Sequence, residues 1–474
     1  MGIETILLSI AIVSGFYMAW SIGANDVANA MGTSVGSGAL TIKQAVIIAA
    51  ILEFAGAFFV GSHVSETIRN GIISPELFRG SEIDLVFGMM GALLAAAIWL
   101  QVASYFGWPV STTHSIVGSV LGFGVMYGGL RAAKWIMVAE IVASWIISPV
   151  MSGVIAFFLF SLLRRWIYAS HDAVGAAKRV TPYLVFLVFV VLTLAMVFKG
   201  LQNLNLDLGF DDALLVATQI GIVASLISYG LVKRIRPTEI KEREVLNQPD
   251  SVGKGIKRIL RQLNKISREA RGEIKDQLST LAQHLRIIDD EVERGIMVER
   301  GSSEYATVQR IFVYLQILSA AFIAFAHGAN DVANAVGPLA AIITVLKTGQ
   351  TSMQAPVPLW VLVLGGVGVV AGLATWGWRV ILTIGKKITE LTPTRGFVAT
   401  FSAAVTIVFA SKLGIPISTT HTLVGGVLGV GLARGISALN LRVITEIAIS
   451  WLVTIPAGAI GAILIYYLLK ALFA

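Results

Sequence analysis

Long apolar runs alternate along the chain with short polar or charged stretches. Most of the runs approach the roughly 20 residues that an α-helix needs to cross the hydrocarbon core of a bilayer. The pattern therefore predicts an all-α polytopic membrane protein with about 12 membrane helical segments. The runs cover residues 3–22, 43–62, 85–106, 112–128, 134–163, 182–199, 212–232, 308–326, 330–346, 357–384, 396–411, 418–433 and 441–471.

The composition agrees with this pattern. Hydrophobic residues make up 56% of the 474 residues, charged residues make up 14%, and the mean hydropathy is +0.80. Soluble proteins carry roughly 25% charged residues. The first apolar run lacks a basic n-region and a small-residue cleavage site, which favours a retained span over a signal peptide. Cysteine is absent, and this excludes a disulfide framework or a thiolate metal site.

The basic residues are concentrated in one stretch. Of 36 Lys and Arg residues, 17 lie between residues 233 and 310. A basic, water-facing segment of a membrane protein is expected on the cytoplasmic side. Nucleic-acid binding is the alternative, but the stretch lacks the Gly-aromatic and Cys/His motifs that would support it, so no nucleic-acid partner is expected.

The same stretch also contains a helical pattern. Apolar residues at helical spacing predict one or two amphipathic helices. A helical hairpin that packs on itself or on the membrane domain is favoured, and a regulatory or oligomer contact is the alternative. These apolar positions are Ile256, Ile259, Leu260, Leu263, Ile266, Leu278, Leu281 and Leu285.

Three motifs occur twice. The octapeptide Gly-Ala-Asn-Asp-Val-Ala-Asn-Ala fills residues 23–30 and again residues 328–335. The other two are Pro-x-Ser-Thr-Thr-His at 109–114 and 416–421, and Glu-x-x-x-Ser-Trp at 140–145 and 446–451. The offsets are 305, 307 and 306 residues, so the register is kept over more than a hundred residues. The chain is therefore an internal duplication, in which Gly56 and Gly61 match Gly372 and Gly377.

Proline interrupts a long apolar stretch in each copy, at Pro109 and at Pro416. Proline followed by Ser-Thr-Thr breaks a helix, and the result is either a hairpin of two full spans or a re-entrant hairpin. We favour the re-entrant hairpin, because such a tip is tolerated at membrane depth only when it is buried in protein or lines a wet cavity.

A re-entrant hairpin fixes the relation of the two copies. The first copy then crosses the membrane three times, and two linking spans bring the count to five, so the second copy is inverted. The predicted domains are repeat 1 at 1–163, two linking helices at 164–232, a cytoplasmic charged helical loop at 233–307 and inverted repeat 2 at 308–474. This arrangement puts both termini and the acidic Glu66, Glu76, Glu82 and Asp84 outside, although Arg131 and Lys134 do not follow the rule.

The Ser-Thr-Thr segments are candidate anion sites. The first backbone N–H groups of a helix have no internal partner, and Ser or Thr hydroxyls add further donors. Two inverted copies would direct two such N-termini at one cavity, which suits a tetrahedral oxyanion. Plain helix capping is the alternative, and a neutral role inside the hairpin is expected for His114 and His421. The candidate anion ligands are Ser111, Thr112, Thr113, Ser418, Thr419 and Thr420.

The octapeptides are candidate cation sites. Asn and Asp supply hard oxygen ligands, which suit Na⁺, Mg²⁺ or Ca²⁺. An ionised Asp in the bilayer needs compensation, and no Lys or Arg recurs in both copies to provide it. A break in the helix at the octapeptide would free further carbonyl groups. A polar contact that joins the repeats is the alternative for part of the set. The candidate ligands are Asn25, Asp26, Asn29, Asn330, Asp331 and Asn334.

Three glutamates lie within the apolar runs. Glu53 has Val369 as its counterpart and is a candidate for an additional cation or proton site. Glu140 and Glu446 recur in both copies, and each either supports a hairpin or lines the cavity.

Together, the two octapeptides and the two Pro-x-Ser-Thr-Thr-His segments resemble the inorganic phosphate transporter (PiT) family. The resemblance covers almost the whole chain outside the charged loop. It implies an inverted-repeat carrier, often dimeric, that moves phosphate across the plasma (cell inner) membrane with Na⁺ or, in some bacterial members, with H⁺. It also implies that Asn25, Asp26, Asn330 and Asp331 belong to the family signature, and that Na⁺ is a co-transported ion rather than a cofactor.

Several functions remain to be separated. A Na⁺-coupled phosphate symporter is the leading hypothesis, because amide oxygens beside an Asp serve a metal ion better than a proton. The alternatives are an H⁺-coupled phosphate symporter, a symporter of another oxyanion such as sulfate, and an anion channel. A membrane enzyme is disfavoured, because no paired acid and base, nucleophile or nucleotide loop recurs.

Overall fold

A computed structural model describes residues 2–60, 72–199, 208–236, 250–270, 273–293, 303–349, 357–412 and 417–473. Gly61, Glu66 and Pro416, which the sequence interpretation used, lie outside these residues. The described part is almost entirely helical. Its helices are α1 Ile3–Gly36, α2 Ile42–Val60, α3 Glu82–Phe106, α4 Thr112–Gly128, α5 Trp135–Leu163, α6 Ala173–Lys199, α7 Phe210–Lys233, α8 Asp250–Glu269, α9 Glu273–Glu293, α10 Ser303–Asp331, α11 Ala333–Thr348, α12 Leu359–Trp376, α13 Trp378–Leu382, α14 Pro393–Lys412, α15 Thr419–Arg434 and α16 Leu441–Phe473.

Ten helical stretches of the described chain are long and apolar enough to cross a membrane. This finding confirms the prediction of an all-α polytopic membrane protein. The helices α4 and α15 are not among the ten, because they have 17 and 16 residues. Both are shorter than the roughly 20 residues that a crossing needs.

The two octapeptides differ in backbone structure. The first lies inside α1, which is one unbroken helix of 34 residues, so the expected break in repeat 1 is wrong. Alanine, valine and single polar residues continue a helix without strain, and no proline occurs in α1. The second octapeptide contains one irregular residue, Val332 between α10 and α11, which keeps right-handed helical dihedrals with φ of −56° and ψ of −30°, so the two helices run on as one helical stretch.

The repeats pack against each other reciprocally. Helix α1 crosses α12 where a Cβ on Gly372 would collide with the carbonyl oxygen of Trp20. Helix α10 crosses α2 in the same way, because a Cβ on Gly56 would collide with the carbonyl oxygen of Phe325. Glycine is needed at both crossings so that the two backbones can approach closely. The matched contacts support the pairing of Gly56 with Gly372 that the sequence predicts.

The first residues of α4 and α15 lie together inside the protein. Helices α3 and α4 are joined through Gly107, which adopts the left-handed conformation with φ of 70°. The turn that follows contacts the other repeat, since Trp451 donates to the Pro109 carbonyl at 3.0 Å and Thr420 donates to the Val110 carbonyl at 3.3 Å. Helices α4 and α15 therefore begin at one buried centre.

The charged loop folds into a separate helical pair. Ile256 and Leu260 on α8 pack with Ala282 on α9, and Leu263 and Leu285 cover them. This packing confirms the predicted amphipathic helices in the form of a hairpin that packs on itself.

Candidate functional site

The first octapeptide contacts the hairpin of the second repeat. Thr420 donates a hydrogen bond to Asp26 Oδ1 at 3.0 Å. Asn29 donates from Nδ2 to Asp26 Oδ1 at 3.0 Å and to Thr420 Oγ1 at 2.8 Å. All three side chains are buried. Asp26 Oδ2 and Asn29 Oδ1 are also buried, and neither has a hydrogen-bond partner within the described chain.

The second octapeptide contacts both hairpins. Thr419 donates to Asp331 Oδ2 at 3.2 Å, and Asn330 donates to Asp331 Oδ1 at 2.8 Å. Asn334 reaches the first hairpin and donates to Thr112 Oγ1 at 3.1 Å. The fold therefore brings Asp26, Asn29, Asp331 and Asn334 to the place where α4 and α15 begin.

His327 joins this centre, and the sequence interpretation missed it. Its Nε2 lies 2.6 Å from Asp331 Oδ2, and its Nδ1 lies 3.3 Å from Glu53 Oε1. One ligand atom each from Asp26, His327 and Asp331 lies within 4.8 Å of the others. The spacing of four residues puts His327 and Asp331 on one helix face, and this spacing is the sequence feature that could have indicated His327 as a site residue. The first repeat has Ile22 at the equivalent position, so a search for duplicated residues passes over the histidine.

Glu53 is completely buried on α2, beside the backbone of Gly328. Val369 occupies the equivalent place against Gly23. The structure therefore supports the pairing of Glu53 with Val369. Among the described residues, no Lys or Arg forms an ion pair with Asp26, Glu53 or Asp331, so His327 is the only described basic side chain that touches these acids.

Asn25 differs from the other octapeptide polar residues. Its Nδ2 donates to Ser104 Oγ and to the Trp108 carbonyl, both at 3.0 Å, and its Oδ1 accepts from Val110 N at 3.2 Å. The amide therefore fastens α1 to the turn of the first hairpin. This contact lies within repeat 1, so it differs from the contact between repeats that was the alternative for part of the set, and a role for Asn25 as a cation ligand stays a prediction.

The two predicted anion segments form matching helix starts. Ser111 accepts from His114 N and Ser418 accepts from His421 N, each at 3.2 Å, so both serines are N-caps. These caps leave the first backbone N–H groups of α4 and α15 without partners inside the helix. Thr113 is buried in the first turn of α4, and its hydroxyl has no hydrogen-bond partner in the described structure. The helix dipoles add partial positive charge at both starts.

His114 and His421 lie behind these starts. Their ring centroids are 4.3 Å apart, and each ring lies against a tryptophan, Trp145 or Trp451, at 3.6 Å. His421 also contacts the Trp145 carbonyl through Nδ1 at 3.2 Å. This packing fits the neutral structural role that the sequence predicts for the two histidines.

The two recurring glutamates have different surroundings. Glu140 is exposed and lines a cavity of about 480 Å³ together with Ser144, Ser148 and Thr406. Glu446 is also exposed and pairs with Arg442 at 3.3 Å. The residues that line this cavity include none from the octapeptides or the Ser-Thr-Thr segments, so lining of the predicted anion cavity stays a prediction for Glu140, whereas Glu446 lies in a surface ion pair.

Comparisons with known proteins identify the family. The profile of the phosphate transporter family matches residues 22–462. The chain is 44% identical to the chloroplastic inorganic phosphate transporter 2-1 of Arabidopsis thaliana, over 98% of this chain and 72% of that protein. It is also 44% identical to a putative phosphate permease of Chlamydia trachomatis serovar D, over 99% of both chains.

A solved structure described as the sodium-dependent phosphate transporter has the same fold. The TM-score is 0.78 at 35% sequence identity, and the match covers 98% of this chain and 99% of the other. The relatives are transporters or permeases rather than enzymes. This agrees with the prediction that the chain is not an enzyme and uses no enzymatic cofactor. The resemblance drawn from the duplicated motifs is thereby confirmed, and this chain belongs to the phosphate transporter family.

Proposed function

We propose that this phosphate transporter is a symporter that imports inorganic phosphate together with Na⁺. Phosphate would bind at the facing starts of α4 and α15, and Na⁺ would bind at the two octapeptides. The observation that carries the proposal is the pair of buried, unpartnered oxygens, Asp26 Oδ2 and Asn29 Oδ1, beside those helix starts. A buried carboxylate oxygen without a donor is unfavourable unless a cation or a proton satisfies it.

The anion side of the proposal rests on two converging helix N-termini. The free N–H groups of the first turns and the hydroxyls of Thr112 and Thr113 supply donors for a tetrahedral anion. Thr419 and Thr420 would join them by turning their single hydroxyl hydrogens from Asp331 and Asp26 to the anion. Ser111 and Ser418 accept hydrogen bonds as caps, and each retains a hydroxyl hydrogen that can be donated to phosphate. No described Lys or Arg contacts these threonines, so helix dipoles and co-bound cations must balance the charge of phosphate.

The cation side rests on the repulsion between carboxylates. Asp26 and Asp331 contribute oxygens to the same group of atoms within 4.8 Å, where two ionised carboxylates repel strongly. A Na⁺ ion that takes Asp26 Oδ2 and Asn29 Oδ1 as ligands would remove this repulsion and would attract phosphate. The anion would therefore bind weakly until the cation arrives, which is the basis of coupling.

The acids beside the threonines also bear on the choice of oxyanion. Protonated forms of phosphate can donate a hydrogen bond as well as accept one, whereas sulfate only accepts. Thr419 and Thr420 bond directly to Asp331 and Asp26, so carboxylates border the proposed anion pocket. This arrangement favours phosphate over sulfate.

Proton coupling is the second candidate, and His327 favours it. Its ring joins Asp331 to Glu53 inside the protein, and a histidine between two carboxylates can hold or pass a proton. We prefer Na⁺, because the unpartnered atoms at Asp26 and Asn29 include an amide oxygen, which binds a metal ion but not a proton.

The membrane arrangement follows from the same proposal. The hairpins α3–α4 and α14–α15 would be re-entrant, the repeats 1–163 and 308–474 would be inverted, and residues 164–232 would link them. The basic loop at 233–307 would face the cytoplasm of a plasma-membrane protein, with both termini outside and two copies forming a homodimer. The buried first residues of α4 and α15 and the short length of these helices support the re-entrant form.

Labelled phosphate uptake into proteoliposomes tests the coupling. We expect uptake under an imposed Na⁺ gradient without a pH gradient, saturation by phosphate, and little inhibition by sulfate. A pH gradient without Na⁺ should give no uptake. Uptake driven by the pH gradient alone would establish proton coupling in place of sodium coupling. Uptake that is neither saturable nor ion-dependent would indicate an anion channel.

A further inference from the structure

The α8–α9 hairpin carries an apolar surface outside its own core. Its core consists of Ile256, Leu260 and Ala282, with Leu263 and Leu285 packed on them. Four other large aliphatic side chains remain exposed, although the sequence pattern grouped three of them with the core. They are Ile259 at 47%, Ile266 at 54%, Ile274 at 63% and Leu281 at 48% relative exposure.

These four side chains lie on one side of the hairpin. Ile259 and Ile266 each follow a core residue of α8 by three positions. Ile274 precedes the Leu278 position by four, and Leu281 precedes Ala282 by one. On each helix, the exposed residues are therefore turned in the same rotational direction away from the residues that face the core. In two antiparallel helices, residues turned in the same direction from the shared core lie on the same side of the pair. We name Ile259, Ile266, Ile274 and Leu281 the apolar stripe.

Basic side chains border this stripe on α8. The helix contains six Lys or Arg residues against two acidic ones, Asp250 and Glu269. Arg258 and Lys265 are exposed, lie about 90–110° around the helix axis from the stripe, and within the described residues form no ion pair. A helix with an apolar stripe beside a basic face is typical of segments that lie on an anionic membrane surface.

We propose that the α8–α9 hairpin docks on the anionic lipid surface of the bilayer that holds the transporter. The apolar stripe would enter the headgroup boundary, and Arg258 and Lys265 would contact lipid phosphates. The chain favours this occupant, because membrane helix α7 ends at Lys233 and membrane helix α10 begins at Ser303. Only residues 234–249 and 294–302 separate the hairpin from these helices, and a connection of the length of the shorter one can span at most roughly 30 Å, which keeps the hairpin near the membrane. The proposal does not depend on which ion drives transport.

A single fluorescent label tests this docking in the full-length chain. The sequence contains no cysteine, so Gln262→Cys on the exposed side of α8 gives one labelling site for an environment-sensitive dye. The labelled protein would be placed in lipid nanodiscs of phosphatidylcholine alone, or of phosphatidylcholine with phosphatidylglycerol. We expect blue-shifted emission and protection from an aqueous quencher only with phosphatidylglycerol, and a loss of both in high salt.

Paired variants separate lipid docking from other effects. Each basic residue near an anionic surface strengthens docking roughly fivefold, so Arg258→Gln with Lys265→Gln should lower the ratio of docked to undocked hairpin about thirtyfold. The matched control is Lys275→Gln with Arg286→Gln, which removes the same charge from α9 and should leave the emission shift in place. Ile259→Ser with Ile266→Ser should abolish the shift while the helical circular dichroism signal is retained.

Three outcomes would overturn the proposal. One is equal protection of the dye from the quencher in neutral and anionic nanodiscs. Another is an equal loss of the emission shift in the two variants that remove basic residues. The third is efficient disulfide cross-linking of unlabelled Gln262→Cys protein between two copies, which would show that a second copy covers the apolar stripe instead of lipid.

Discussion

The two octapeptides have identical sequences, yet the structure gives them different surroundings. Asp26 lies in an unbroken helix, bonds to Thr420 and Asn29, and keeps one oxygen without a partner. Asp331 ends its helix and lies 2.6 Å from His327, which also contacts Glu53. The difference arises from two neighbours that the duplication did not preserve, since Ile22 and Val369 replace His327 and Glu53 in the other half.

The two copies of the duplicated site therefore differ in the groups that surround their carboxylates. Repeat 1 offers an open carboxylate oxygen and an open amide oxygen, which suits a mobile ion. Repeat 2 holds its carboxylate with a histidine that belongs to the protein. We therefore expect exchangeable cation binding to depend more on Asp26, and internal stability to depend more on Asp331.

The largest expected effect is the loss of coupled uptake when either aspartate is replaced. Asp26→Asn and Asp331→Asn should each lower Na⁺-driven phosphate uptake about a hundredfold or more, because Asp26 carries the buried charge that the cation compensates and Asp331 carries the buried charge that holds His327. The two variants should differ in stability. Asp331→Asn removes the carboxylate beside buried His327 and should lower the unfolding temperature, whereas Asp26→Asn relieves repulsion and should not. Uptake in proteoliposomes and thermal unfolding in detergent measure the two effects. Normal transport by both variants would reduce the octapeptides to a contact between the repeats.

A smaller effect is expected for His327→Gln. The variant keeps a polar side chain but removes the ring that joins Asp331 to Glu53, so uptake should fall about tenfold, equivalent to the net contribution of a charged hydrogen bond. Ile22→Gln introduces the same residue at the equivalent place in repeat 1 and serves as the control for polarity alone. If the two variants behave alike, the histidine has no special role in repeat 2.

The hydroxyls of the two hairpins should also differ in importance. Thr420→Val removes the donor to Asp26 and the acceptor for Asn29, and we expect the half-saturating Na⁺ concentration to rise about tenfold. Thr113→Val changes the equivalent residue, which has no such partners among the described residues, and should raise this concentration less. Both variants should be compared by Na⁺ titration of phosphate uptake. An equal rise would contradict the asymmetry of the cation site.

The smallest effect is expected for the two N-cap serines, whose surroundings are alike in the two repeats. Ser111 and Ser418 cap their helices through the same bond at the same 3.2 Å distance. Ser111→Ala and Ser418→Ala should therefore each lower the free energy of unfolding by about 1 kcal/mol, the usual effect of a lost N-cap. Chemical denaturation in detergent checks this expectation. A clear inequality between the two would mean that the hairpin starts are not equivalent.

Much of the fold could be predicted from the sequence, because the signals were local. Run length identified the membrane helices, and Pro-x-Ser-Thr-Thr-His marked the points where α4 and α15 begin. The helical spacing of Ile256, Leu260, Leu263 and Leu285 identified the α8–α9 hairpin. The predicted break in repeat 1 was wrong, because an Asn-Asp pair within an apolar run does not show whether the helix stops or continues.

The sequence by itself determined the duplication, the membrane-helix architecture and the residue types at the candidate site, since these depend on composition and on spacing within one segment. Only the tertiary structure decided that each octapeptide meets the hairpin of the other repeat, that Asn25 holds a turn, and that His327 joins Asp331 to Glu53. The contacts between repeats, and the contact of His327 with Glu53, connect residues hundreds of positions apart, and Asn25 reaches a turn about 80 positions away. Their geometry is set by close packing of helices at glycines such as Gly56 and Gly372, which no local pattern encodes.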